Sequence, residues 1–151
     1  AGFRGLDGVW SKDGESVFYL HDGRELRRRH VASGREATLY RAAGLHGIVR
    51  SPDGRSLAVC GGNVIALVPA TSGEVRRIPF DGVTEAGWGA DLIAARGVDL
   101  WRAPLDGSAP QKLNAPGNRA PGFSLHPDGK RIALTAGRTG TEIWTMKLGA
   151  P

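Results

Sequence analysis

A short turn sequence recurs three times in this chain, each time between two runs of apolar residues. The three copies are Ser11-Lys12-Asp13-Gly14, Ser51-Pro52-Asp53-Gly54 and His126-Pro127-Asp128-Gly129. The first two copies are 40 residues apart, and the last two are 75 residues apart, which is close to twice the first spacing. A fixed period of this length predicts a repeat architecture rather than one irregular domain.

The composition of the turn predicts a hairpin between two antiparallel strands. Pro52 and Pro127 fix the backbone φ at the second turn position, and the final glycine supplies a left-handed φ. A turn of this kind with a glycine bulge joins antiparallel strands. Lys12 replaces the proline in the first copy, which weakens the preference without abolishing it.

Four similar units can be marked along the single predicted domain of residues 1–151. We place them at 6–41, 46–80, 84–114 and 120–148. The first three contain four strand-like segments each, and the fourth stops after its third. The third unit is degenerate, because it lacks the Pro-Asp-Gly sequence and turns instead at Gly89-Ala90-Asp91.

The polarity of the strands indicates how the units pack. The second strand of each unit is apolar at consecutive positions, so that it must be covered on both faces. The segments are 17–20, 57–60, 92–95 and 132–134. The fourth strands are polar, which suits an exposed sheet edge. These features predict an all-β protein, a β-propeller of about four blades, each a four-stranded antiparallel sheet. A β-sandwich is the alternative, but it does not predict so regular a period.

The two ends of the chain leave the closure of the propeller open. The four blades could form a closed ring or one half of a larger ring. Residues 1–6 resemble an outer strand and could complete the last blade, or they could belong to a preceding blade that has been cut away. We expect the chain to be a piece of a longer protein.

Charge and hydropathy narrow the range of partners. Lys and Arg number 20 against 15 Asp and Glu, which gives a net charge of +5. The densest basic segment is 27–29, but strand alternation divides its arginines between two faces, and no aromatic residues are interleaved with them. This pattern favours a solvated strand over a nucleic-acid or anion site at 27–29. The expected partner of the chain is a protein, a peptide or a small anionic ligand. No apolar run reaches 18 residues, so no membrane span is predicted.

The repeats resemble those of the TolB-type, WD-like β-propeller superfamily. The resemblance rests on Trp10-Ser11-Lys12-Asp13-Gly14, Ser51-Pro52-Asp53-Gly54-Arg55 and the segment 126–146. The last segment resembles the final blade of the propellers attached to bacterial serine/threonine kinases and winged-helix regulators. The resemblance implies a non-enzymatic module for protein interaction or ligand sensing in a larger bacterial signalling protein. The alternatives are an accessory propeller of a prolyl-oligopeptidase-like hydrolase and a self-assembling fragment, including a homodimer that completes a larger ring.

No residue pattern predicts catalysis, a metal site or a cofactor. The four histidines have no ligand spacing, and the lone Cys60 lies in an apolar strand. The segment 122–126 contains a serine but lacks the second glycine of a nucleophile elbow.

If the propeller binds a partner, the loops on one face of the blades are the place to look, because loops on a rigid scaffold carry recognition. The links between blades and the turns between second and third strands share that face. The predicted interaction face consists of His21, Arg24, Arg41, His46, Glu85, Asn118, Arg119 and Arg138.

Overall fold

The computed structural model describes residues 8–113, 119–126, 128–136 and 142–147, and every regular element within them is a β-strand. The strands are β1 (Gly8–Trp10), β2 (Ser16–His21), β3 (Glu25–His30), β4 (Glu36–Arg41), β5 (Leu45–Arg50), β6 (Ser56–Gly61), β7 (Val64–Pro69), β8 (Arg76–Pro79), β9 (Glu85–Trp88), β10 (Leu92–Arg96), β11 (Asp99–Ala103), β12 (Gln111–Leu113), β13 (Arg119–Leu125), β14 (Arg131–Ala136) and β15 (Glu142–Lys147). The described part of the chain contains no helix capable of crossing a lipid bilayer.

The strands form four antiparallel sheets in which each strand pairs with its neighbours in sequence. The orders are β1-β2-β3-β4, β5-β6-β7-β8, β9-β10-β11-β12 and β13-β14-β15. This confirms the predicted architecture of about four antiparallel blades. The segment 1–6, which could complete the last blade, lies outside the described residues.

The recurrent turn forms the same hydrogen bonds in the first and second sheets. In the second sheet, Asp53 Oδ1 accepts hydrogen bonds from Ser51 Oγ at 2.6 Å and from the Arg55 amide at 2.9 Å. The Gly54 amide donates to the Ser51 carbonyl at 2.9 Å, and Gly54 has a φ of 80°. Asp13, Ser11 and Glu15 repeat the pattern in the first sheet. The predicted left-handed glycine is therefore confirmed.

The chain divides into two compact units, Ala1–Val83 and Thr84–Pro151. In the first unit, Phe18 and Leu20 of β2 belong to the same buried cluster as Leu57 and Val59 of β6. Full burial of such a side chain is worth about 1.5–3 kcal/mol relative to exposure. This cluster packs the first sheet face to face against the second.

The second unit has a core of the same kind. Ile93 and Ala95 of β10 share a buried cluster with Ile132 and Leu134 of β14. Each of these four side chains is at most 2% exposed. The third and fourth sheets therefore pack face to face, as blades of a propeller do.

Candidate interaction face

One edge of the first unit is built from a turn and a link that are hydrogen-bonded to each other. The turn lies between β2 and β3 at residues 22–24, and the link between β4 and β5 at residues 42–44. The Ala42 amide donates to the Arg24 carbonyl at 3.0 Å, and the Leu45 amide donates to the Gly23 carbonyl at 2.8 Å. We call this surface the loop edge. It brings together four of the predicted face residues: His21, Arg24, Arg41 and His46.

Arg41 is held at the loop edge by an ion pair. Its Nε donates to Glu25 Oε1 at 2.8 Å, and Arg27 contacts the other oxygen of the same carboxylate at 2.6 Å. Hydrogen bonds from Arg41, which has the larger effect, and from Arg27 lower the pKa of Glu25 below its usual value. Arg41 is therefore a neutralised part of the surface rather than an unpaired cation.

The ion pairs continue across the face of the first sheet. Glu36 lies 3.0 Å from Arg29 and 3.8 Å from Arg27. The charges therefore alternate in sign along the series Arg41, Glu25, Arg27, Glu36 and Arg29. The pKa of Glu36 is lowered, chiefly by a hydrogen bond from the Tyr19 hydroxyl. We call this group the ion-pair ladder.

Strand alternation predicted the division of 27–29 between two faces, but the acidic partners in the ladder were not predicted. The observed register confirms the alternation, since Arg27 and Arg29 pair with Tyr19 and Val17 across the sheet. The spacing of Glu25 two residues before Arg27 was the available signal, because side chains two apart in a strand share a face.

His46 joins two links of the first unit. Its Nδ1 lies 3.0 Å from the Gly44 carbonyl oxygen, and its Nε2 lies 2.8 Å from the Val83 carbonyl oxygen. A neutral imidazole donates to only one of two such acceptors, whereas imidazolium donates to both. The ring is thus a structural contact between the link after β4 and the end of the unit.

Arg24 is the cation most available for binding at the loop edge. Its side chain is exposed, and within the described residues no carboxylate lies within 4 Å of its guanidinium. His21 is less available, because its Nε2 lies 3.4 Å from a carboxylate oxygen of Asp22.

Of the remaining predicted residues, two lie in the second unit and two lie outside the described residues. Glu85 begins β9 in the second unit and pairs with Ala95 across the sheet. Arg119 begins β13, where only its backbone is described. Asn118 and Arg138 lie outside the described residues.

The acidic residues of the recurrent turns are engaged by the backbone. Asp128 Oδ1 accepts from the Lys130 amide at 2.9 Å, and this bond is the main cause that lowers the Asp128 pKa from 3.8 to about 2. Donation from Arg131 and His126 adds to the effect. Among the described residues, no three His, Cys, Asp or Glu side chains are arranged to hold a metal ion.

Comparison with known proteins identifies the fold. TolB from Acinetobacter baumannii superposes with a TM-score of 0.72 at 21% identity, over 95% of this chain and 41% of TolB. A putative TolB from Agrobacterium tumefaciens gives 0.70 at 22% identity, over 94% of this chain and 57% of that one. An oligogalacturonate lyase in complex with manganese gives 0.74 at 18% identity, over 97% of this chain and 52% of the lyase.

These similarities show a TolB-like β-propeller fold, and the chain spans about half the length of the solved structures that it matches. No family model matches the chain, and no curated protein matches it significantly. The finer resemblance to kinase-attached and winged-helix propellers stays a prediction. The neighbours include an enzyme as well as TolB proteins, so the fold by itself does not decide between catalysis and binding.

Proposed function

We propose that the chain is a non-enzymatic β-propeller module whose loop edge binds an acidic segment of a partner protein. The observation that carries the proposal is Arg24, an exposed cation on a turn whose backbone is fixed by two hydrogen bonds to the neighbouring link. Because the backbone of this turn is already fixed, binding costs little backbone entropy, which favours recognition. Membership of a larger bacterial signalling protein rests on the sequence resemblance alone.

The surroundings of Arg24 favour a carboxylate-rich peptide. The guanidinium forms bidentate hydrogen bonds with carboxylates, and the +5 net charge attracts acidic partners over a longer range. The ladder beside it holds three arginines and two glutamates, so most of its charge is compensated and a net charge of +1 remains. One exposed cation beside a largely compensated network predicts a weak, salt-sensitive site.

A charge-reversal pair tests the loop edge. The probe is a fluorescein-labelled oligoglutamate peptide, whose binding is followed by anisotropy at low salt. Arg24→Glu is expected to weaken binding strongly, whereas Arg35→Glu changes the net charge equally but lies in the link between β3 and β4 at the opposite edge of the same sheet. Equal weakening by both variants would show that the peptide responds only to overall charge, and the loop-edge proposal would then be wrong.

An activity assay tests whether the chain is non-enzymatic. The chain is incubated with oligogalacturonate and Mn²⁺, because the lyase that shares its fold was solved with manganese. No unsaturated sugar product is expected to accumulate above the uncatalysed rate. Turnover that disappears on removal of the metal would overturn the proposal and favour an enzyme.

A further inference from the structure

The first sheet exposes apolar side chains on the face opposite its core. Trp10, Val17 and Arg29 share this face, as their cross-strand pairing shows. Trp10 is 58% exposed, and Val31 at the end of the same face is 52% exposed. Together with Gly8 and Tyr19 they line a shallow cavity of about 470 Å³. We call this surface the open face of the first sheet.

Equivalent positions in other sheets are buried beneath a neighbouring sheet. Counting from the turn glycine, Val17 and Tyr19 correspond to Leu57 and Val59 in the second sheet and to Ile132 and Leu134 in the fourth. The second-sheet pair is 0% exposed and packs with the first sheet, and the fourth-sheet pair is at most 2% exposed and packs with the third. Tyr19 itself is only 9% exposed, but Trp10 and Val31 on the same face are more than half exposed, so the open face of the first sheet is the kind of surface that a preceding blade covers.

The fourth sheet also has a face away from its core, which we call the open face of the fourth sheet. Ser124, Ala133 and Thr145 are register partners on the side away from the core, and Ile143, two residues from Thr145, is 79% exposed. The small side chains of Ser124, Ala133 and Thr145 border a cavity of about 290 Å³, which is also lined by Leu125, His126, Arg131 and Ile132. Counting from the turn glycine, Ala133 is equivalent to Phe18. Phe18 lies on the face of the first sheet that packs against the second sheet. This is the kind of surface that a following blade covers.

We propose that the open face of the first sheet binds the open face of the fourth sheet in a second copy of this chain. Within each unit, one sheet presents the first kind of surface and the other sheet presents the second kind, and the two pack together. The two open faces are therefore matching surfaces of the same kind of contact. The bulky Trp10 projects from one surface, and the small Ala133 and Ser124 line the hollow of the other. Arg29 of the ion-pair ladder lines this surface, but Arg24, on which the proposed peptide binding rests, does not.

The comparisons indicate how many copies would complete a ring. This chain matches 41%, 52% and 57% of the lengths of three solved propellers. Two copies therefore supply about the length of one such propeller. A pair of head-to-tail contacts between two copies forms a closed dimer, whereas a pairing that fails to close would extend into fibres.

The first experiment measures the solution mass by light scattering over a dilution series. The unmodified chain is expected to form a dimer, and Trp10→Glu is expected to raise its dissociation constant at least about tenfold, as for a buried aromatic anchor. Val98→Glu is the matched control, because Val98 is 59% exposed but lies in the turn between β10 and β11, outside both open faces. A monomer at every concentration, or equal effects of the two variants, would overturn the proposal.

Cross-linking distinguishes a second copy from closure within one chain. Copies carrying Trp10→Cys are mixed with copies carrying Thr145→Cys and treated with a short bis-maleimide; the native Cys60 is 1% exposed and protected. The mixture is expected to give a covalent dimer, and Trp10→Cys alone is not. If the mixture gives no dimer and a chain carrying both cysteines cross-links as a monomer, each chain closes on itself and the proposal is wrong.

Discussion

Gly89 and Gly129 lie in direct backbone contact where the β9–β10 and β13–β14 turns of the second unit meet. A Cβ atom on Gly89 would stand 2.8 Å from the Gly129 carbonyl oxygen, closer than real Cβ atoms approach backbone. The first unit has a related contact, where a Cβ on Gly54 would stand 2.7 Å from the Lys12 Cβ. In each unit, the first hairpin turns of two neighbouring sheets are thus packed together.

This contact predicts that Gly89→Ala destabilises the second unit by about 1–3 kcal/mol, the usual cost of overpacking. The neighbouring atoms belong to backbone, so they cannot yield as a flexible side chain would. Gly47→Ala is the control, because its new Cβ would meet Cys60 atoms at 3.5 Å or more, which is ordinary contact. Urea unfolding monitored by circular dichroism measures both; an unchanged midpoint for Gly89→Ala would show that the turns are not packed in this way.

His46 is expected to stabilise the first unit through its two carbonyl contacts. His46→Ala removes the contact between the link after β4 and Val83, and we expect a loss of about 1 kcal/mol, as for one net hydrogen bond. His21→Ala is the matched control, since that ring contacts only the exposed Asp22 side chain among the described residues. Urea midpoints that fall equally for the two variants would contradict a structural role for His46.

The turns and the strand polarity were predictable because they depend on local chemistry. The residues Asp53 and Gly54 by themselves favour this type of turn. The consecutive apolar residues at 57–60 require that the strand be covered on both faces. The four apolar segments accordingly fall within β2, β6, β10 and β14.

The state of individual side chains at the loop edge was not predictable in this way. Whether Arg41 is an available cation depends on Glu25, which lies 16 residues away in sequence and reaches it only through the β3–β4 pairing. The same holds for His46 and Val83, which are 37 residues apart. Long-range partners of this kind depend on how the links between strands pack, and the turn repeat carries no information about that packing.

Asp128 is expected to make the stability of the second unit fall in acid. Its pKa is about 2 in the fold against 3.8 in the unfolded chain, so its contribution is complete above 3.8 and is lost as the pH falls toward 2. Asp128→Asn keeps an oxygen acceptor for the Lys130 amide but does not titrate. The urea midpoint of the unmodified chain should therefore fall more steeply between pH 4 and pH 2 than that of the variant; parallel curves would show that Asp128 does not titrate with unfolding.

Tyr19 is expected to ionise at unusually high pH. Burial raises its pKa above 10.0, and the adjacent Glu36 carboxylate, to which its hydroxyl donates, raises it further. Since the fold favours the neutral phenol, its stabilising effect is complete below pH 10 and is lost as the pH rises above it. A Tyr40→Phe variant leaves Tyr19 as the single tyrosine, so tyrosinate absorbance reports it alone. The ionisation midpoint should lie above that of the same variant in urea, and Glu36→Gln should bring the two midpoints closer. Coincident midpoints in the folded and unfolded chains would show that neither burial nor Glu36 acts on Tyr19.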